Sequence, residues 1–323
     1  MVTRWRFIRT KLSQEEVGVK SLTKKLAMKW LWLTAQTGFQ RAPMRTAFRF
    51  VSWGARCALR RQTIAEIRKW NLRILLPAMW KGVEKLIFVF RENYESELNY
   101  LETILFPSKT FVDIGANLGI YTLVASRIVG PSGRVIAFEP SLESFLTLKE
   151  NVSLNGFKNV LAVRVALSDK TGEAFLYHGS DAGKNSLGSF PCAEPKGEPV
   201  ATQSLDEALH QLSVETVDVI KMDVEGAEEL VLRGAKRTVA SHRPIVLFEI
   251  NPESSRRLGF SPRGAWDLLA ATDYEFFAIK QNGSLSSLKT MPMALGNVVA
   301  IPRGGHDHLF AGRRTFTRLH SRV

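Results

Sequence analysis

The chain has 323 residues, 45% of them hydrophobic, with 44 Lys+Arg against 31 Asp+Glu for a net charge of +13. That composition supports a large packed core and excludes a disordered or fibrous chain. Its two cysteines, Cys57 and Cys192, are too few and too far apart for a disulfide framework or a zinc site, and they fit a reducing, cytoplasmic compartment.

The charge is unevenly placed. Residues 1–92 hold 20 Lys+Arg and 5 Asp+Glu, whereas the remainder holds 24 and 26. The basicity therefore belongs to the N-terminal part and does not argue for a nucleic-acid substrate. Residues 1–69 read as a basic, aromatic helical arm. Segments 23–37 and 44–61 mix Lys and Arg with Trp30, Trp32, Phe48, Phe50, Trp53 and Leu59 at loosely helical spacing. No apolar run approaches the ~20 residues that span a bilayer, and Lys29 interrupts the best of them. The long charged region has no clear small-residue cleavage site after it, unlike a signal peptide. Such an arm either lies on an anionic membrane surface, making the protein peripheral, or packs on the domain or a second subunit.

Residues 71–76 and 86–90 read as two short strands. Residues 92–105 follow as an amphipathic helix, with Leu98, Leu101 and Leu105 facing in and Glu97 on its surface. The stretch 110–119, TFVDIGANLG, organises what comes next. A short apolar run carries Asp113 near its end, Gly115 and Gly119 flank a turn, and Ile120, Leu123, Val124 and Ile128 continue at helical spacing. In a strand–turn–helix of this kind the helix aims its free N–H groups and positive dipole end at whatever lies over the turn. Glycines let a ligand approach the backbone there. Residues 133–140 form a second strand that ends in Glu139, twenty residues after Gly119. An acidic residue at about that distance hydrogen-bonds ribose hydroxyls in nucleotide-binding α/β sheets. The turn is G-x-N-x-G, which differs from the dinucleotide G-x-G-x-x-G.

A helix over 142–154 and a strand over 160–167 lead to Ser168 and Asp169 at the strand's carboxyl end, and a short strand covers 173–177. Residues 179–199, rich in Gly and Pro, read as a substrate-side flap. Residues 200–212 resume with a strand and a helix. The strand 217–223 and the helix 227–239 set Asp223 and Glu225 at a strand's carboxyl end, and the strand 244–250 delivers Glu249 and Asn251 to the same rim. A helix over 262–271, strands over 274–279 and 297–301, and a basic tail over 303–323 complete the chain.

Three motifs in order carry a resemblance: D-x-G-A-N-x-G-x-Y-T from Asp113, A-F-E-P from Ala137 and K-M-D-V-E-G-A-E from Lys221. Together they resemble the FkbM family of S-adenosylmethionine-dependent methyltransferases, over about residues 70–302. The resemblance implies a Rossmann-like, doubly wound α/β fold with a seven-stranded, mostly parallel sheet ending in an antiparallel hairpin. It implies S-adenosyl-L-methionine as cofactor, held by Asp113, Gly115, Asn117, Gly119 and Glu139, with Ser168 and Asp169 at the adenine. The activity implied is O-methylation of a hydroxyl on a glycan, lipid-linked sugar or secondary metabolite. Asp223, Glu225 and Glu249 would then stand beside the sulfonium as candidate catalytic residues. A hydroxyl acceptor needs a base as the new bond forms, and each of the three can serve as that base, hold the cationic donor or cap a helix. Carboxylates at one rim can instead recruit a divalent cation with waters; without aligned ligands in the sequence no metal site is assigned.

Two rival classes share parts of the pattern. A NAD-dependent oxidoreductase has the same strand–turn–acid order, but the glycine spacing differs and no Tyr-x-x-x-Lys pair is present. A noncatalytic nucleotide-binding module has less reason to keep three rim carboxylates. Amino-group methylation of nucleic acid usually shows an N/D-P-P-Y/F turn, where this chain has D-V-E-G, so no nucleic-acid partner is expected.

Overall fold

The computed structural model describes residues 34, 39–40, 42–80, 82–177, 186–187, 197–280 and 284–304. Helix α1 (Pro43–Ala58) opens the described chain, with proline in its first turn, where the missing N–H is not needed. It leads into an antiparallel hairpin of β1 (Thr63–Ile67) and β2 (Leu72–Leu76). The expected boundary between residues 69 and 70 thus falls inside the hairpin. Trp53 and Cys57 of α1 share one core with Ile67 and Leu72.

Helix α2 (Val83–Phe90) replaces the strand expected over 86–90. Ile87, Phe88, Val89 and Phe90 are all buried, so this helix has no polar face to reveal its period. Helix α3 (Ser96–Ile104) follows, and Leu98, Leu101 and Leu105 are buried as expected. The main α/β unit then runs through β3 (Thr110–Ile114), α4 (Ile120–Val129), β4 (Arg134–Phe138), α5 (Leu142–Leu154) and β5 (Val160–Val163). The strand expected over 160–167 is divided. Its end, β6 (Ala166–Leu167), leaves the main sheet and pairs elsewhere.

A small second sheet gathers β6, β7 (Gly172–Tyr177), β8 (Ser186–Leu187) and β9 (Gly197–Gln203) in the order β6-β9-β7-β8. Apart from β8 and the first residues of β9, the flap expected over 179–199 lies outside the described residues, as do most of the arm before α1 and the tail after residue 304. Helix α6 (Leu205–Gln211) is capped by the Ser204 hydroxyl, which accepts the Glu207 N–H. Strand β10 (Val219–Met222) leads to α7 (Glu228–Arg233) and α8 (Lys236–His242), where one helix was expected. The break lies at Gly234, whose backbone approaches Ser168 so closely that an added Cβ would sit 2.0 Å from the Ser168 carbonyl oxygen. Strand β11 (Ile245–Ile250), α9 (Pro252–Arg257), α10 (Gly264–Ala270), β12 (Tyr274–Ile279), β13 (Leu285–Leu288) and β14 (Gly296–Pro302) finish the unit.

The main sheet has eight strands in the order β13-β12-β14-β11-β10-β3-β4-β5, one more than expected. Strands β11, β10, β3, β4 and β5 are parallel neighbours, and β14, β12 and β13 pair antiparallel. The additional strand, β13, reads Leu-Ser-Ser-Leu; main-chain bonds to β12 hold it at the edge, so no side-chain alternation announces it. Side chains of the central strands alternate between two cores. Phe111, Val135 and Val219 face the layer of α2, α3 and α4, whereas Val112, Ile136 and Ile220 face that of α6, α7, α8 and α10. Helices on both faces make this the expected doubly wound, mostly parallel α/β fold.

The hairpin is joined to that unit by two asparagines, Asn151 in the last turn of α5 and Asn155 at its C-cap. Asn155 accepts the Arg73 N–H at 2.8 Å and donates to the Arg73 carbonyl at 2.6 Å. One turn earlier Asn151 does the same for Leu75, at 2.6 and 3.3 Å, and also donates to the Leu118 carbonyl at 2.9 Å. Side-chain amides thus replace a neighbouring strand along the edge of β2. Asn151 is fully buried, so Asn151→Ala should strand the Leu75 N–H and the Leu118 carbonyl without partners. The expected loss is about 2–6 kcal/mol, read by chemical denaturation, since each of the two orphaned buried groups costs about 1–3 kcal/mol. A loss under about 0.5 kcal/mol would show that the clamp carries no weight.

Candidate active site

The carboxyl ends of β3, β4, β10 and β11 form one rim, and the turn after β3 lies across it. Gly115, Asn117 and Gly119 all take left-handed backbone angles, with φ of 75°, 51° and 95°. Glycine adopts that region freely and asparagine more readily than most residues, which accounts for the G-x-N-x-G pattern. The Gly115 and Ala116 N–H groups both donate to the Phe138 carbonyl at 3.0 Å, pinning the turn to the end of β4. Gly119 caps α4, where a side chain would strike Leu148.

Glu139 lies beneath this turn and is almost wholly buried. One carboxylate oxygen accepts the Asn117 N–H at 2.7 Å and the other the Ser141 N–H at 2.9 Å. Burial pushes its pKa up to about 7, and the two N–H donors oppose that rise. Each oxygen still has a second lone pair. These remaining acceptor positions fit a ribose diol, the group expected there for S-adenosylmethionine.

Asp113 faces the interior. Its carboxylate accepts the Thr122 hydroxyl at 2.5 Å, and burial raises its pKa to about 6. It stands in register with Lys221 on the neighbouring strand. The Lys221 ammonium is buried, lies 3.2 Å from Asp223 Oδ2 and sits 4.8 Å above the Tyr121 ring. Burial works against its charge, but the carboxylates of Asp223, Glu95 and Asp113 outweigh that and hold its pKa above the ordinary lysine value. The Tyr121 hydroxyl donates to Glu95. Burial lifts the pKa of Glu95 above the usual carboxylate range. Lys221 and Tyr121 lie inside the motifs read from the sequence but were given no role there, and Glu95 was not singled out. The acidic residue from the 92–105 segment that enters this network is Glu95, two positions before Glu97. The signal for Lys221 was present: a lysine inside the buried strand V-I-K-M has no place there without carboxylate partners.

The three rim carboxylates converge. Oxygens of Asp223, Glu225 and Glu249 all lie within 4.8 Å of one another. Glu225 is held in a left-handed conformation at φ 51°, followed by Gly226 at 99°. Glu228 secures this turn by accepting the Val224 and Gly226 N–H groups at 3.3 and 3.4 Å, and burial pushes its pKa to about 7. The Asn251 amide donates to both Glu225 Oε2 and Glu249 Oε2, at 3.3 and 3.2 Å, while its oxygen caps α9. Burial first, then the charges of Asp223, Glu225 and Glu228, raise the Glu249 pKa to about 8. A carboxyl near 8 can take up and release a proton at neutral to mildly alkaline pH.

Ser168 and Asp169 directly follow β6. Ser168 donates its N–H to Gln203 at 2.9 Å and its hydroxyl to Asp169 at 3.3 Å. Among the described residues no hydrogen bond joins this pair to the Gly115–Gly119 turn.

Residues 113–276 match the methyltransferase FkbM domain. The hexuronic acid methyltransferase AglP of Haloferax volcanii is 27% identical over 250 residues, covering 77% of this chain and 89% of that protein. The 2-O-methyltransferase NoeI of Sinorhizobium fredii is 27% identical over 154 residues, covering 42% and 61%. The crystal structure of methyltransferase FkbM from Methylobacillus flagellatus aligns with a TM-score of 0.39 at 15% identity, over 78% of this chain and 59% of that one. With its matched domain spanning the donor turn and all three rim carboxylates, the chain belongs to the FkbM methyltransferase family and is an S-adenosylmethionine-dependent methyltransferase.

Proposed function

We propose that this enzyme methylates a hydroxyl of a sugar-like acceptor: a glycan, a lipid-linked sugar or a secondary metabolite. One observation carries the reading: Asp223, Glu225 and Glu249 converge within 4.8 Å at the rim that also bears the Glu139 turn. A hydroxyl acceptor needs a nearby group to take its proton as it attacks. The relatives named for a hexuronic acid and for 2-O-methylation support the same class.

When bound, S-adenosylmethionine supplies an electrophilic methyl group on a sulfonium. Glu139 holds the ribose hydroxyls, Gly115 and Gly119 keep the turn free of side chains, and Ser168 and Asp169 supply adenine contacts. Glu249 accepts the acceptor's proton. Asp223, fixed by Lys221, and Glu225, fixed by Asn251, align that hydroxyl for in-line attack; alignment of this kind removes several kcal/mol of barrier. The catalytic unit occupies about residues 70–302, in the cytoplasm, and residues 1–69 bring it to an anionic membrane surface. The support for that last step is the surplus of positive charge in the N-terminal part.

The experiment is calorimetric titration with S-adenosylhomocysteine and NAD, on the protein and on Glu139→Ala. Micromolar binding of S-adenosylhomocysteine is expected, weakened by at least about tenfold in the variant, because charge-assisted bonds to the ribose are worth about 1.5–3 kcal/mol. Binding of NAD alone would overturn the donor site and favour an oxidoreductase. Binding of neither ligand would favour a noncatalytic scaffold.

A further inference from the structure

We propose that the outward face of α1 is a membrane-docking surface that inserts into an anionic lipid bilayer. This rests on the proposed membrane contact of residues 1–69 and assigns that contact to particular side chains. Helix α1 has two apolar faces. One buries Trp53 and Cys57 against the protein; the Trp53 indole donates to the Met79 carbonyl at 2.9 Å and its ring lies 5.0 Å from that of Phe88. The other looks away from the protein. Met44, Phe48, Val51 and Leu59 are 86%, 74%, 72% and 66% exposed, and their spacing of four, three and eight residues sets them along one stripe. Trp80, 63% exposed, sits beside Gly54 and widens the stripe with an indole, a group favoured at membrane interfaces.

Charge selects the occupant. Arg45, Arg49 and Arg56 lie along one flank of the stripe, Arg60 and Arg61 follow the helix, and α1 contains no acidic residue. Arg45, Arg60 and Arg61 are exposed, while Arg49 bonds the Val89 carbonyl and Arg56 lies over Phe88. An apolar stripe edged by cations matches hydrocarbon bordered by anionic headgroups. A second copy of the chain is a poorer partner, because antiparallel self-pairing sets the arginine flank against its own copy. The preceding segment is also a poor cover: residues 1–42 hold 9 Lys+Arg and 2 Asp+Glu, the same sign as the flank.

The test is co-sedimentation of the full chain with vesicles of phosphatidylcholine alone and of phosphatidylcholine with phosphatidylglycerol. The anionic vesicles should bind at least about tenfold more tightly, and binding should fall with salt. The variant Phe48→Ser/Val51→Ser should lose about tenfold or more of that affinity, with melting temperature and S-adenosylhomocysteine binding unchanged. Wild-type vesicle binding by this variant would overturn the assignment to α1 and leave the contact to the rest of the arm. Absence of vesicle binding by the full chain would overturn both. A dimer in light scattering that the double variant splits would give the face to a second copy and overturn the membrane reading.

Discussion

Gly115→Ala should disable the protein more thoroughly than any substitution of a charged residue at the site. An alanine Cβ would lie 2.0 Å from the Asp223 carbonyl oxygen, with backbone at φ 75°. Two penalties combine: about 1–2 kcal/mol for an L-residue in the left-handed region and about 1–3 kcal/mol for overpacking. The contact joins the two functional halves of the rim, because the Asp223 N–H bonds the Ile114 carbonyl at 3.0 Å while its own carbonyl faces Gly115. Relief of the clash therefore moves the donor turn and the rim carboxylates together. The expected result is a melting temperature lower by roughly 5–15 °C and S-adenosylhomocysteine affinity lower by at least about 100-fold. Gly130→Ala is the control. Gly130 has φ 68° but nothing within 4 Å of an added Cβ, so it incurs the backbone penalty without the clash. Equal losses in the two variants would show that the approach to Asp223 is unimportant.

What could be read from the sequence follows the same logic. The donor turn was legible because three left-handed positions in five residues demand Gly or Asn, and those residues stand there. The rim was legible because the carboxyl ends of parallel strands fall where the apolar runs stop, at Asp113, Glu139, Asp223 and Glu249. Helix α2 was not, since burial on nearly all sides removes the period that distinguishes helix from strand. The Asn151 and Asn155 clamp was hidden for another reason. Its partners lie 76 and 82 residues away, and no local pattern marks an asparagine that replaces a strand. The inward turn of Glu95, rather than Glu97, likewise depends on where Tyr121 comes to rest.

Glu249→Gln should reduce kcat by at least about 100-fold, the typical worth of a positioned general base, with S-adenosylhomocysteine affinity held within a few-fold. The glutamine keeps the size of the side chain and an oxygen for the Asn251 amide, so the lost property is proton uptake. The sign of the pH dependence follows from the raised pKa. Glu249 accepts a proton only when ionised, and with a pKa of about 8 the wild-type kcat should climb through that value and level off above it. In Glu249→Gln the residual kcat should have no such limb. Asp223→Asn provides an independent check, because the Asp223 charge is among the causes that raise Glu249. Removing it should move the limb to lower pH while the plateau falls, since the alignment by the Lys221 pair is also lost. A limb that persists in Glu249→Gln but vanishes in Asp223→Asn would transfer the base role to Asp223. The profiles should also be repeated with EDTA and with added magnesium, because three carboxylates within 4.8 Å can share either a proton or a cation. A limb unchanged by both treatments is expected. One that disappears with EDTA would mean that a metal, and not Glu249, sets the proton balance at this rim.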